Sequence, residues 1–320
     1  MKIFIFFLSF LALACGVCRA SSCELSKSSF SHTYSFENGK VLNYEKPRFW
    51  KDLARGPKDW SDFMKDSFTR ENAPWLAGIA GSTLLLIKYD REIYEETRRF
   101  GKRMNISTED KTKTFIKLNG VSLFRGPTDL GSAMYFLGDG WISIGLFGSF
   151  KLYGLAKDDW RASSTANQLM EGLLVTGFTT QILKWSTGRQ MPKTSSGDST
   201  GRWHPFATDY LSKRRWYDAF PSGHLATGMM CVTVLTENYP EKKYIKPVGY
   251  SLLALLSFQM VNNGVHWVSD YPLGLAVGYG IGKSVASRHV VEKGEKEARS
   301  VSFYPYLAGD TAGGALVYRF

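Results

Sequence analysis

Cysteine is scarce in this chain, with four in 320 residues. Two of them, Cys15 and Cys18, fall in an apolar leader, which leaves Cys23 and Cys231. Neither a disulfide framework nor a cysteine metal cluster can be read from two positions, although the pair could join in an oxidising compartment. Acidic residues are also in deficit, 29 against 40 Lys plus Arg, for a formal net charge of +11. That balance favours anionic partners. A nucleic-acid motif is missing, so phospholipid headgroups or phosphorylated substrates fit the charge better than DNA or RNA. No internal repeat is present, and uninterrupted membrane-length apolar runs are lacking, because Asp139, Glu171 and Lys283 interrupt the candidates. A charge inside a bilayer costs roughly 2.5 to 3.5 kcal/mol on insertion scales. With a mean hydropathy of -0.19, a weakly embedded bundle and a soluble periplasmic one both remain open.

What is present begins with Lys2 followed by the apolar stretch Ile3 to Ala14 and the small residues around Ala20. This reads as a secretory signal cleaved near Ala20, with lipidation at Cys15 or an uncleaved anchor helix as weaker readings. Residues 21–72 are polar and aromatic without a clear period and read as an irregular arm with short helical pieces. Apolar segments of helical spacing recur at Pro74 to Lys88, Ser132 to Ala156, Asn167 to Lys184, Ser222 to Glu237, Val248 to Asn262 and Val268 to Ala286. The expected fold is all-α, a bundle of about six helices over residues 73–290. Thr112 to Phe124 does not settle between strand and loop. Residues 291–320 read as a charged linker and a β-hairpin, with strands at Val301 to Leu307 and Ala315 to Phe320. The alternation up to the terminal aromatic is like the last strand of outer-membrane barrels, but one hairpin cannot close a barrel.

Three short runs carry chemistry. In Phe220-Pro221-Ser222-Gly223-His224, a proline and a small hydroxyl residue precede a helical segment. Free amides at such a helix start bind oxyanions, Gly223 permits close approach, and His224 on the first turn can protonate a leaving oxygen. His266 and Asp270 are four apart, a spacing at which a carboxylate can fix one imidazole nitrogen and leave the other to attack an electrophile. Lys184 and Arg189 sit where an apolar helix ends and can converge on an anion, although cations at a helix C-terminus are favoured by the dipole alone.

Together these runs resemble the type-2 phosphatidic acid phosphatase and vanadium haloperoxidase superfamily, whose signature is Lys, six residues, Arg-Pro; then Pro-Ser-Gly-His; then Ser-Arg, five residues, His, three residues, Asp. The resemblance covers about Pro74 to Lys283. It implies that Lys184 binds phosphate, that Ser222 and Gly223 line the anion site, and that His224 is a general acid. It further implies that His266 is the nucleophile forming a phosphohistidine and that Asp270 orients it, with no metal or cofactor. The implied substrate is a lipid phosphate or a small phosphomonoester, and the implied location is the cell envelope, at or near a membrane surface. Two positions depart from the signature, where Met191 and Met260 stand in place of arginines. Charge-assisted hydrogen bonds of that kind are worth about 1.5 to 3 kcal/mol each. Arg189, Arg202, Arg214 and Arg215 are candidate substitutes, with Arg189 the leading one. A degenerate member that binds phosphorylated headgroups without turnover is the competing reading, and a vanadate-dependent haloperoxidase fits the loss of two arginines less well.

Overall fold

The computed structural model describes residues 23–36, 39–118, 121–197, 199–291, 301–308 and 311–318. The leader at residues 1–20 and the charged linker after Val291 lie outside the described residues.

Helices dominate, but the first of the described residues form strands. β1 (Cys23–Lys27), β2 (Ser31–Phe36) and β3 (Val41–Glu45) form an antiparallel sheet that β6 (Val290–Val291) completes in the order β1-β2-β3-β6. This differs from the irregular arm expected there. The physical reason is visible in β2, where His32, Tyr34 and Phe36 face inward and Ser31, Thr33 and Ser35 alternate outward. The period of two is carried by aromatic rings rather than aliphatic side chains. Tyr34, Phe36, Leu42 and Tyr44 make a small core of their own. Arg161 fastens that core to the bundle, with its guanidinium 4.0 Å from the Tyr239 ring centroid and 4.9 Å from that of Tyr34. It also bonds the Asn238 carbonyl at 2.6 Å and Glu241 at 2.8 Å.

Helices α1 (Phe49–Leu53), α2 (Gly56–Ser67) and α3 (Ala73–Arg103) follow, then the antiparallel pair β4 (Thr112–Leu118) and β5 (Val121–Pro127). The run left open between strand and loop is therefore a hairpin. The single segment expected over Ser132 to Ala156 is divided into α4 (Leu130–Phe136) and α5 (Gly140–Lys157), because Asp139 turns back to accept from the Trp141 amide at 2.9 Å and caps a new helix. After α6 (Trp160–Thr187) come α7 (Gly223–Asn238), α8 (Ile245–Asn262) and α9 (Tyr271–Ala286). The bundle thus holds more helices than the expected six. Towards the C-terminus β7 (Val301–Ala308) pairs antiparallel with β8 (Thr311–Tyr318), whose first residue lies ahead of the Ala315 expected to begin the second strand. Cys231 is a buried free thiol whose sulfur lies 3.1 Å from the Ser143 hydroxyl.

The contact that positions the site is α7 on α9. A Cβ on Gly274 would stand 2.6 Å from the Ser222 carbonyl oxygen, so only glycine lets α9 lie against the start of α7. Among the described residues no helix is long and apolar enough to cross a membrane.

Candidate active site

Ser222 caps α7, its hydroxyl accepting from the Leu225 amide at 3.4 Å. Gly223 and His224 thereby fall on the first turn, where unpaired amides and the positive end of the helix dipole meet. Lys184, in the last turn of α6, reaches the same place, and a Cβ on Gly223 would lie 3.7 Å from its Nζ. His266 follows the end of α8 in a short loop whose Val265 amide donates to the Met260 carbonyl at 3.0 Å. The His224 and His266 rings face each other edge to face, with centroids 6.3 Å apart. Lys184, Ser222, Gly223, His224, His266 and Asp270 therefore come to one place from three elements distant in sequence.

The details differ from the expected assignment at two points. His266 Nδ1 lies 2.6 Å from the Ala219 carbonyl oxygen and 3.4 Å from Asp270 Oδ2, so the backbone carbonyl is its nearer acceptor. An Nδ1–H donated there leaves Nε2 with its lone pair free. Asp270 spends its charge elsewhere, accepting from the Trp267 amide at 2.7 Å and from Arg189 at 2.6 Å. The second point is a correction. Arg189, expected to be a substitute phosphate clamp, is fully buried and committed to other groups. Its two terminal nitrogens donate to Asp270, to Ser269 Oγ at 2.6 Å, to Asp90 Oδ2 at 2.7 Å and to the Thr200 carbonyl at 2.8 Å. Trp203 and Trp267 flank the guanidinium at 4.9 and 5.6 Å. A residue held in this way positions Asp270 and has no terminal N–H left for an anion.

Met191 and Met260 are buried in one apolar cluster, and Met260 Sδ sits 3.6 Å from Ser222 Oγ. Arg202 projects outward, Arg214 is largely exposed beside Asp218 at 3.3 Å, and the side chain of Arg215 lies outside the described residues. The segment bearing them is pinned under the site, since Gln190 donates its amide to the Arg202 carbonyl at 2.8 Å and Ala219 to that of Arg189 at 3.0 Å.

Two site residues escaped the sequence reading. Asp90, from the middle of α3, accepts from the Ser269 amide at 3.0 Å and from the Ser269 hydroxyl at 2.5 Å. Burial raises its carboxyl, against the pull of Arg189 and Ser269. Nothing in the sequence singles it out, because it stands among Lys88, Arg91, Glu92, Glu95 and Glu96 on the charged half of the helix. Asp218 faces Lys184 at 3.4 Å and accepts from the Tyr210 hydroxyl at 2.6 Å. Burial opposes its ionisation, yet Lys184, Tyr210 and Arg214 hold it below the ordinary carboxylate range. The pocket thus contains its own anion. His224, partly buried under Tyr135 at a ring distance of 4.7 Å, is lowered to about 3 by burial first and then by His266 and Lys184, with Asp218 opposing.

The family model for the PAP2 superfamily matches residues 165–292, which span every one of these positions except Asp90. The match to the PAP2 superfamily is carried by that segment, about two fifths of the chain. A lipid A 1-phosphatase of Porphyromonas gingivalis is 31% identical over 67 residues, which is 21% of this chain and 15% of that relative's length. The crystal structure of Aquifex aeolicus LpxE covers 49% of this chain and 83% of its own at 18% identity, with a TM-score of 0.36. Within the PAP2 superfamily signature this chain keeps the lysine, both histidines and the final aspartate, while the two substituted arginine positions are filled by core methionines.

Proposed function

We propose that this chain, as a member of the PAP2 superfamily, hydrolyses a phosphate ester at the start of α7, with His266 as nucleophile and His224 as acid. The observation that carries the reading is the approach of the two imidazoles over the amides of Ser222 and Gly223, with Lys184 alongside. The phosphoryl group would rest on those amides and Lys184, and Nε2 of His266 would attack phosphorus opposite the leaving oxygen. His224 delivers the proton to that oxygen, and a water then releases phosphate from the phosphohistidine with His224 as base. His224 is neutral in the ligand-free site, so the substrate must bring the proton or raise the ring by its own charge. Turnover should accordingly decline above about pH 6, where a bound phosphate monoester loses its last proton.

A lipid phosphate in the cell envelope is the favoured substrate class. Trp185, Phe206, Leu211 and Trp216 are exposed at the end of α6 and on the segment leading to Pro221, an apolar surface suited to an acyl chain. The second reading, binding of a phosphorylated headgroup without turnover, is favoured by one specific arrangement. Both terminal nitrogens of Arg189 are taken by Asp90, Ser269, Asp270 and Thr200, and Lys184 already faces Asp218.

Phosphate release from phosphatidic acid, a prenyl diphosphate and an aryl phosphate separates the two. Release that His266→Ala abolishes, together with an acid-labile phosphoenzyme in the wild type, supports the hydrolase. Saturable binding of vanadate or phosphate with no release on any of the three supports the binding module.

A further inference from the structure

A groove of about 470 Å³ opens between α1, α2 and α6, away from the two histidines. Leu53, Pro57, Trp60, Leu174, Val175 and Phe178 line it, and the indole of Trp60 meets Phe178 edge to face at 5.7 Å. At its base is Glu171, the one charged residue of the lining, with a fully buried side chain. Glu171 Oε2 accepts from Arg288, which also lies 3.4 Å from Asp59 of α2. Glu171 Oε1 and Asp59 Oδ2, the latter the oxygen that faces Arg288 at 3.4 Å, are buried without a hydrogen-bonding donor. Two carboxylates against one guanidinium leave one negative charge in excess in a nearly dry place, which is costly unless something positive joins them.

In the ligand-free protein that role falls to a proton. Burial first, and then the hydrogen bond between the two carboxyl groups, pushes Glu171 up to about 8, with Arg288 opposing. One proton shared between Oε1 and Oδ2 accounts for both unpaired oxygens. Asp59 and Arg288 are the charged groups that face Glu171 from the packed elements.

We propose that this groove binds an organic ammonium with an apolar tail, the cation replacing the shared proton at Glu171 and Asp59. A carboxylate beside the rings of Trp60 and Phe178 is the combination that recognises an ammonium, by charge and by cation–π attraction. The tail lies along Leu53, Leu174 and Val175. On binding, the ammonium keeps its own protons, and the displaced one leaves to solvent.

Hexylammonium titrated into the full chain by calorimetry, in two buffers of different ionisation enthalpy, provides the test. Release of close to one proton per bound amine at pH 7 is expected, with affinity rising about tenfold per pH unit up to about pH 8 and levelling beyond. Hexanol and hexanoate should bind at least about tenfold more weakly, in line with the worth of one charge-assisted contact. Phe178→Ala, at an exposed ring, should weaken the amine about three- to tenfold, and Glu171→Gln should remove the pH dependence. Phosphatidylcholine vesicles doped with octadecylamine ask whether the amine is presented by a membrane, and binding there or in solution supports the proposal. Equal affinity for hexanol and hexylammonium, binding without proton release, or no binding in either arm overturns it.

Discussion

Two arginines, the fully buried Arg189 and the partly buried Arg288, are each set between two carboxylates and behave differently. Arg189 lies between Asp90 and Asp270, and Arg288 between Asp59 and Glu171. In the first cluster each carboxylate oxygen has a donor, because the Ser269 and Trp267 amides and the Ser269 hydroxyl supply what Arg189 does not. In the second, two oxygens have none. The ionic count is the same, and the neutral N–H and O–H groups make the difference. A saturated cluster fixes geometry and holds the loop carrying His266, whereas an unsaturated one takes up a proton and leaves room for a cation.

The largest expected effect follows from breaking the saturated cluster. Arg189→Met strands two fully buried carboxylates, and urea unfolding should show a loss of about 3 to 5 kcal/mol. Phosphate release should fall in the same variant through displacement of His266, with a lower kcat rather than a raised KM. Arg288→Met should cost less than half as much near pH 6, since Glu171 can answer with a proton, and more near pH 9. Equal losses for the two arginines at pH 6 would dissolve the comparison.

His224 offers a second, intermediate test. Its folded-state value of about 3 lies below the ordinary 6.5, so between those limits the unfolded chain binds the extra proton. Stability from this group is complete above about pH 6.5 and falls as acid is added, by about 2 kcal/mol at pH 5. His224→Gln should remove that part of the acid sensitivity. His289, lowered to about 4 chiefly by burial, should keep a parallel slope in the variant. The smallest effect concerns the pocket's own anion. Asp218→Asn frees Lys184 and should tighten phosphate or vanadate binding about tenfold, a change of roughly 1.4 kcal/mol. Unchanged affinity would mean that Asp218 does not compete with the ligand.

The sequence exposed those parts of the site that sit on short local spacings. Ser222, Gly223 and His224 announce a helix start, and His266 and Asp270 share a turn, so their meeting was legible. Asp90 reaches Ser269 across 179 residues and Asp218 meets Lys184 across an irregular segment. No period connects such partners. Arg189 was misread for a related reason, because a cation near a motif can be assigned to a ligand or to a carboxylate, and only the arrival of Asp90 from α3 decides which. The helices of the bundle followed from apolar spacing, while the first sheet was missed because the inward residues of β2 are His32, Tyr34 and Phe36 rather than valines and isoleucines.

The pairing of β3 with β6 has a consequence for how the chain folds. Val41 is matched with Val291 and Leu42 with Val290, so a strand made at the beginning is completed only by one made near the end. At synthesis rates of roughly 5 to 20 residues per second, β3 waits on the order of ten seconds or longer for its neighbour. During that interval an edge strand with unpaired amides is open to the wrong partner. The same non-local closure makes this sheet a late folding event, since loop entropy must be met before the contact rewards it. Chains cut short before Val290 should therefore aggregate through the N-terminal sheet even when the helices have already collapsed.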